Sequence, residues 1–435
     1  MQRKRKLSTI EHLIDGNFVC FIRLEGSFTL DQLRSALSRV QRKHPALRAL
    51  IREEPDGLYY EPDCAPEIPL RIVSRVTEDD FRRECHTELS TDFAPDQPHL
   101  RVVWLPSEVE NDLLFTTSHR SCDGMGILVI IREVLRCLHS NEELTPYEPV
   151  TVREIIGDYR PAHPWRRKLL AHLVNGLMRL IPASRPEPEG LEYYVEWNAG
   201  PALSAALRQR CKAESISVHA LLAVALDRAL LAVFGEKKLP KLIDNPMDPR
   251  RMRFPGLKND MLLLGGGRFR LRAGQAPDVE FWARTRAVDQ EMHKLIEQEI
   301  LDAPGRFHFV EMLRPPASGQ VQTIVRWNHA LKRKGTLSSF PISNLGNVAV
   351  SDSEAPFRVR DLRLYLHSFR TRAFGLVTHT INGEMRFYFM SNEKCMSRSQ
   401  LDTLKRECMG LLQQQAMQPD EGVAEVPRML GAITG

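Results

Sequence analysis

Residues 113–138 read LLFTTSHRSCDGMGILVIIREVLRCL, and this stretch decides the fold. It opens with an apolar run of β-favouring residues, 113–117, which is short enough for a buried strand. From Met125 onward, apolar residues recur at the spacing of one helical face: Ile127, Leu128, Ile131, Val134, Leu135 and Leu138. The pattern therefore predicts a strand and a helix joined by the loop 118–124.

A histidine lies in this loop at the point where the predicted strand ends. An imidazole held at the floor of a cleft can take a proton from an alcohol, amine or thiol at physiological pH. His119 is therefore a candidate general base, with a packing or surface histidine as the alternative. Asp123 favours the N-terminus of the following helix, and Gly124 allows close backbone approach.

The loop resembles the HHxxxDG signature of an acyltransferase superfamily. Its members include chloramphenicol acetyltransferase, plant BAHD enzymes, nonribosomal condensation domains and polyketide-associated acyltransferases. His119, Asp123 and Gly124 match the second His, the Asp and the Gly, whereas Ser118 replaces the first His. The resemblance implies that His119 is the base, that Asp123 is mainly structural, and that the position of Ser118 supports the site without transferring the proton.

Two segments further along the chain resemble the same superfamily. Residues 248–250, Asp-Pro-Arg, are similar to its D-x-R segment, which implies that Arg250 pairs with Asp123. A buried carboxylate needs such a cation, although a lone arginine after a proline is otherwise a surface residue. The stretch 340–346, FPISNLG, is similar to its SNLG segment, so Ser343 and Asn344 are candidates for an oxyanion site or the cleft lip; simple turn chemistry is the alternative.

Length and element order predict a two-domain α/β fold. The 435 residues suit two domains of roughly 200 residues each, and irregularly alternating strands and helices indicate an α+β sandwich. The resemblance implies two chloramphenicol-acetyltransferase-like domains with the active site in a tunnel between them. We expect residues 1–150 to form the first domain, 151–188 a linker and 189–435 the second domain.

Local patterns also predict particular elements. In the first half they indicate strands at 18–24, 46–51, 58–61, 70–76 and 100–105, a helix ending at His44-Pro45, and a helix at 78–89. In the second half they indicate a strand at 192–198, helices at 202–213, 217–234, 278–301 and 399–415, and a strand at 241–245. The strands 362–369, 374–381 and 385–391 are expected to form a meander, with a tight turn at Asn382-Gly383.

The expected linker contains a basic amphipathic helix at 165–181, WRRKLLAHLVNGLMRLI. One interpretation is a helix that crosses between the domains. The other is an interfacial element that contacts lipid or an acyl chain. Asn175-Gly176 interrupts the apolar surface and favours the linker.

Composition excludes several classes of protein. A net charge of +5, without a basic stripe interleaved with aromatics, argues against nucleic-acid binding. We expect no secretory signal and no membrane span, and the eight cysteines lack a CxxC pair, which indicates reduced thiols in the cytoplasm. No GxSxG elbow occurs, which argues against a serine hydrolase. Cys122 has no separate base that would activate it as a nucleophile. His119 with Asp123 makes an incomplete metal site, so we expect no metal.

The sequence thus predicts an acyltransferase of secondary, lipid or polyketide metabolism. By the resemblance, the donor is acyl-CoA or a phosphopantetheinyl acyl-carrier protein, the acceptor is a hydroxyl or an amine, and no cofactor is bound permanently. Ester and amide formation are not separable from sequence. A catalytically silent binding module is the alternative, supported by Ser118. A monomer is expected, because two related domains complete the site within one chain.

Overall fold

The structure is a computed structural model that describes residues 4–13, 16–54, 57–184, 192–236, 239–263, 266–276, 278–317, 319–320, 323–324, 327, 339–350, 355–366, 375–393 and 396–417. The strands are β1 Arg5–Lys6, β2 Asn17–Glu25, β3 Leu50–Glu54, β4 Gly57–Glu61, β5 Leu70–Ile72, β6 Leu100–Leu105, β7 Glu110–Ser118, β8 Glu192–Asn198, β9 Leu242–Met247, β10 Gly267–Arg272, β11 Phe340–Asn347, β12 Arg358–Leu366, β13 Gly375–Ile381 and β14 Glu384–Asn392. The helices are α1 Thr9–Leu13, α2 Leu30–Lys43, α3 Pro45–Arg48, α4 Asp80–Ser90, α5 Gly124–His139, α6 Val152–Ile156, α7 Pro164–Leu180, α8 Gly200–Ala213, α9 Val218–Phe234, α10 Phe281–Val310 and α11 Arg398–Met417, with a 3-10 helix at Pro249–Met252.

The strand and helix predicted around the motif are both present, as β7 and α5. β7 lies in the middle of a five-stranded sheet of order β12-β2-β7-β6-β5 and pairs antiparallel with both of its neighbours. Its residues 111–118 are all buried, because α2 and α5 cover one face of the sheet and α4 covers the other. Burial on both faces explains why the strand reads as a continuous apolar run.

The second half of the chain forms a six-stranded sheet of order β10-β9-β11-β13-β14-β8. Helices α8, α9, α10 and α11 contribute to the core against it. Residues 220–226, Ala229 and Leu230 of α9 are buried there, which explains the apolar composition of this part of the helix. A separate three-stranded sheet, β1-β4-β3, lies in the N-terminal half. The mixed α/β fold class predicted from the sequence is confirmed.

The meander predicted near the C-terminus is correct only for its hairpin. β13 and β14 pair antiparallel, and both turn residues, Asn382 and Gly383, have positive φ, as a two-residue hairpin turn requires. β12, however, pairs with β2 in the five-stranded sheet, with Leu362 opposite Ile22. The predicted meander is therefore wrong in its first strand, because alternation fixes the face of a strand and not its partner. Residues 367–374 of this prediction lie outside the described residues.

Several boundaries differ from expectation, and the helix predicted at 278–301 is observed as the longer α10, Phe281–Val310. The segment predicted as a strand at 46–51 begins with the helical turn α3, because Pro45 suits the first helical position, where no backbone N–H is needed. The strand proper is β3, Leu50–Glu54. The strand expected at 70–76 ends at Ile72. The division of the chain at residues 150 and 188 stays a prediction, and β12 shows that the C-terminal half also supplies a strand to the N-terminal sheet.

Candidate active site

The candidate base lies directly after β7, in the turn that leads to α5. The backbone N–H of His119 donates a hydrogen bond to the carbonyl of Gly16, at 2.8 Å, just before β2. Its imidazole packs against the ring of Phe18, with 5.3 Å between the ring centroids and a 60° tilt. The side chain is half-buried. Contacts to the strand next to β7 therefore fix the position of the imidazole.

The surroundings of His119 favour its neutral form. Burial lowers the pKa of the imidazole below its ordinary value, while interactions with the backbone of residues 119 and 122 act in the opposite direction. A neutral imidazole has a free lone pair and is the form that accepts a proton. The environment of His119 thus suits a general base at neutral pH.

Ser118 holds the turn that carries His119. Its side chain is buried, and its Oγ accepts a hydrogen bond from the backbone N–H of Arg120 at 3.3 Å. Its backbone carbonyl accepts a second bond, from the N–H of Ser121 at 3.0 Å. A serine at this position can therefore support the loop without a role in proton transfer.

Asp123 caps the helix that follows. Its Oδ1 accepts a hydrogen bond from the backbone N–H of Gly126 at 2.6 Å, the usual bond of a helix N-cap. Its Oδ2 lies 3.1 Å from Nη1 of Arg250. Burial raises the pKa of this carboxyl and the nearby Asp248 adds to the effect, whereas Arg250 and the N–H of Gly126 oppose it.

Arg250 joins three parts of the chain at this carboxylate. It follows β9 in the 3-10 helix, and its Nη1 also contacts Oδ1 of Asp248 at 2.9 Å. Its Nη2 donates to the carbonyl of Met261 at 2.6 Å. The fork geometry of a guanidinium allows these simultaneous bonds. Arg250 thereby ties residues of the C-terminal half to the N-terminus of α5.

Of the glycines at 124 and 126, only Gly126 leaves no room for a side chain. A Cβ at Gly126 would lie 2.9 Å from Cβ of Cys122 and 3.0 Å from Oδ1 of Asp123, so it would push against the cap. A Cβ at Gly124 would lie 3.4 Å from Cδ2 of Leu345, in β11. The SNLG segment therefore lies beside the start of the motif helix.

Ser343 and Asn344 lie in β11, opposite Val377 and Thr378 of the parallel strand β13. The register of this pair shifts after Asn344, whose Oδ1 accepts a hydrogen bond from the N–H of Gly346 at 2.9 Å. Gly346 has a φ of 71°, so the segment has the turn chemistry that its composition indicates. The oxyanion role of Ser343 and Asn344 stays a prediction, and it would use the Oγ–H and the Nδ2 amide as donors.

A buried charged cluster behind the site was missed from the sequence. Nε2 of His44 lies 2.6 Å from Oε2 of Glu133, and Nζ of Lys43 lies 2.5 Å from both Glu133 Oε1 and Asp260 Oδ2. The hydroxyl of Tyr147 donates to the other oxygen of Asp260 at 2.5 Å. Burial would raise the pKa of Asp260, but the bonds from Lys43 and Tyr147 outweigh it, so the pKa is lowered.

This cluster connects elements that also hold the motif. Glu133 lies on α5, ten residues after Asp123, and Asp260 precedes Met261, whose carbonyl binds Arg250. The expectation that His44 is merely a helix-terminal residue is incomplete, because it ends α2 and is also fully buried beside Glu133. Glu133 lies on the buried face of α5, and a charged residue in such a position needs a partner of opposite charge. This was the signal in the sequence for the cluster.

The side chains of two other residues, Cys122 and His219, have structural surroundings. Cys122 is fully buried with its Sγ 3.7 Å from Thr117 Oγ1, and burial raises its pKa to about 12, which opposes a thiolate nucleophile. His219 is half-buried near the start of α9, and its Nε2 lies 2.8 Å from Asn245 Oδ1. Within the described part of the chain, no group of three or more His, Cys, Asp or Glu side chains is arranged to hold a metal.

A membrane span requires a helix that is both long and apolar. In the described ranges no single helix meets both requirements, and only the pair α8 and α9 meets them jointly, across a 109° bend. The residues of α9 are largely buried in the core. A buried core helix meets such a test as readily as a spanning one.

Comparison with known proteins identifies the fold. The first condensation domain of the calcium-dependent antibiotic synthetase superposes with a TM-score of 0.69 at 13% identity, over 98% of this chain and 99% of that domain. Polyketide synthase associated protein 5 from Mycobacterium tuberculosis gives a TM-score of 0.64 at 13% identity, over 94% and 98%. Trichothecene 15-O-acetyltransferase from Fusarium sporotrichioides gives 0.66 at 10% identity, over 96% and 95%.

Sequence similarity is weaker and partial. No family model matches the chain. Malformin synthetase from Aspergillus niger is 25% identical over 180 residues, which is 38% of this chain and 4% of the synthetase. The chain thus matches only a small part of that protein. Together with the structural matches, the observed sheets show that the chain has the two-lobed α/β fold that condensation domains share with the trichothecene acetyltransferase, as its motif predicted.

Proposed function

We propose that the protein transfers an acyl group from a thioester to a hydroxyl or an amine, with His119 as the general base. The donor in this proposal is acyl-CoA or an acyl group on the phosphopantetheine arm of a carrier protein. The similarity to condensation domains and to an acetyltransferase supports this class of reaction. The proposal includes an active site in a tunnel between the two lobes, reached by donor and acceptor from opposite sides.

One observation carries the proposal. His119, whose lowered pKa favours the neutral imidazole, is held at the end of β7 by elements from both halves of the chain. The bond to Gly16 holds its backbone, and the contact of Arg250 with Asp123 holds the start of α5. Such an arrangement restricts the loop to one geometry, and general-base catalysis requires a fixed distance to the acceptor proton.

The chemistry needs no covalent intermediate on the protein. His119 takes the proton as the acceptor oxygen or nitrogen attacks the thioester carbonyl, and a tetrahedral oxyanion forms. This intermediate collapses by breaking the C–S bond, and the leaving thiolate takes the proton back from the imidazolium. The products are an ester or amide and a free thiol, so atoms and charges balance.

Two contributions lower the barrier in this proposal. A positioned base contributes about 2 to 4 kcal/mol, and donors to the oxyanion contribute a similar amount. Ser343 and Asn344 are the proposed donors, because Leu345, the next residue of β11, lies beside Gly124. Asp123, Gly124 and Arg250 are proposed as structural support, since Asp123 and Arg250 bond to each other and to the backbone, Arg250 also bonds to Asp248, and Gly124 begins α5.

The experiment that tests this function is detection of the product by mass spectrometry. The full chain is incubated with a panel of acyl-CoAs and acyl-carrier proteins, together with mixed alcohols and amines. We expect a product whose mass equals acceptor plus acyl group, and release of the free thiol, for one class of donor. This result would also identify the donor and acceptor classes.

Binding without turnover would support the alternative, a catalytically silent module. In that outcome several thioesters bind, measured by calorimetry, and no product mass forms with any acceptor. The replacement of the first motif histidine by Ser118 is the observation that favours this alternative. The variant Ser118→His then tests whether the missing histidine is the cause. If only the variant forms product, the inactivity of the wild type is due to Ser118.

A further inference from the structure

Helix α7, Pro164–Leu180, exposes its apolar residues to solvent instead of burying them. Six large side chains are between 51% and 78% exposed: Trp165, Leu169, Leu170, Leu173, Leu177 and Leu180. Their spacing of three and four residues places them along one face of the helix. Isolated exposed leucines are ordinary, but a stripe of this length on one helix marks an interaction surface.

The opposite face of α7 attaches the helix to the protein. Ala171 is buried there, and Nη1 of Arg167 donates to the carbonyl of Gly305 at 2.6 Å. Asn175 donates to the carbonyl of Met312 at 3.1 Å and accepts from the N–H of Arg314 at 2.6 Å. Polar bonds thus hold the helix against the end of α10 and the residues after it, with its leucines pointing outward.

The charge of this region indicates the chemistry of its partner. No acidic residue occurs between Asp158 and Glu187, whereas Arg166, Lys168 and Arg179 lie on α7 with exposed side chains. On the helix, Lys168 and Arg179 flank the apolar stripe on one side. An apolar face bordered by cations fits an anionic lipid surface, where leucines enter the acyl region and cations meet the headgroups.

We propose that α7 docks the protein onto the surface of a membrane that contains anionic lipid. The helix lies parallel to the surface and does not cross it: its length is about 25 Å, and cations lie along it rather than only at its ends. Of the two sequence interpretations, the interfacial one explains the exposed stripe, which a buried crossing helix would not show. The proposal concerns location and does not depend on the acyl-transfer chemistry.

The test is flotation of the full chain with lipid vesicles on a density gradient. Vesicles of phosphatidylcholine alone are compared with vesicles that also contain phosphatidylglycerol. We expect the protein to float with the anionic vesicles and to bind them less as salt rises, because the Debye length shortens. Failure of the wild-type protein to float with the anionic vesicles would overturn the proposal.

Variants assign the binding to α7. The triple variant Leu169→Gln, Leu173→Gln and Leu177→Gln is expected to lower the vesicle affinity by about tenfold or more, because it removes three of the six apolar side chains of the stripe. Leu301→Gln is the matched control, since Leu301 on α10 is 74% exposed and lies outside the stripe. Equal flotation of the triple variant and the wild type would contradict the assignment.

A second variant tests the contribution of the cations beside the apolar stripe. Lys168→Gln with Arg179→Gln should weaken binding to anionic vesicles by roughly tenfold and leave the weak binding to neutral vesicles unchanged. The control removes two exposed arginines elsewhere, Arg268 and Arg398. Circular dichroism verifies the fold of each variant.

Ultracentrifugation tests a second copy of the chain as the alternative partner. If the wild type does not bind vesicles but forms a dimer that the leucine variant abolishes, a second copy is the partner and the proposal is wrong.

Discussion

At the scale of single residues, the site depends on one ion pair that the sequence indicated by resemblance alone. The contact of Arg250 with Asp123 joins residues that are 127 positions apart, and no local pattern encodes such a distance. The capping role of Asp123 is different, because an aspartate before a helical apolar stripe is a local signal. Sequence therefore predicted the cap from physical chemistry and the ion pair only from the motif.

Removing Arg250 should destabilise the protein strongly. Arg250→Ala leaves the half-buried carboxylates of Asp123 and Asp248 without their common cation. Breaking a fully buried pair costs about 3 to 5 kcal/mol of the free energy of unfolding, which is the upper limit expected here. The loss is smaller if Asp123 becomes protonated in the variant, because a neutral carboxyl does not need a cation. Urea unfolding measures the change, and Arg251→Ala is the control because its side chain is exposed. Similar losses in both variants would show that the pair has no special role.

The pH dependence of the reaction should reflect the lowered pKa of His119. The base must be neutral, so kcat/KM rises with pH through the pKa of the imidazole and is constant above it. Because burial lowers this pKa, the rise is expected below pH 6.5, the value of an ordinary histidine. A pH–rate profile with an alcohol acceptor measures it. A rise centred above 6.5 would contradict a desolvated neutral base.

At the scale of elements, the buried charged cluster fixes the motif helix from behind. It brings together the end of α2, the middle of α5 and the segment that contains Asp260. The sequence placed these helices correctly but gave no indication of which charges meet. Helical periodicity specifies the buried face of one helix, whereas the partner on another helix depends on the packing of both.

Removing the central carboxylate of this cluster should destabilise the protein. Glu133→Gln leaves Lys43 and His44 buried without the charge that both contact, so we expect a loss of about 2 to 4 kcal/mol in the free energy of unfolding. Arg132→Gln, on the exposed side of the same helix, should change it by roughly 0.5 kcal/mol or less. Equal unfolding midpoints for Glu133→Gln and the wild type would show that the cluster does not stabilise α5.

At the scale of the whole molecule, the two halves share a sheet. β12 follows the first strands of the C-terminal sheet in the chain, yet it closes the edge of the N-terminal sheet beside β2. Strand patterns predicted that β12 exists and which residues are apolar, but not its pairing, since that depends on contacts more than 300 residues apart. The two-lobed architecture was predictable from the motif, and the exchange of this strand was not.

Shared sheet structure predicts one cooperative unfolding transition. Leu33→Ala in the core of the N-terminal sheet and Leu230→Ala in the core of the C-terminal sheet each remove a fully buried side chain, at a cost of about 2 to 5 kcal/mol. Each variant should shift the same transition, because β12 couples the lobes. Differential scanning calorimetry tests this. Two transitions, with each variant moving only one, would show that the lobes unfold independently.

The most direct test of the proposed function is the rate of acyl transfer by His119→Ala. We predict that this variant loses at least about a hundredfold in kcat, since it removes the imidazole that accepts the proton in the proposed mechanism. His308→Ala is the matched control and should transfer at the wild-type rate, because His308 is also half-buried with a lowered pKa but lies on α10 against Tyr159. Wild-type turnover by a correctly folded His119→Ala variant would contradict the proposal that His119 is the catalytic base.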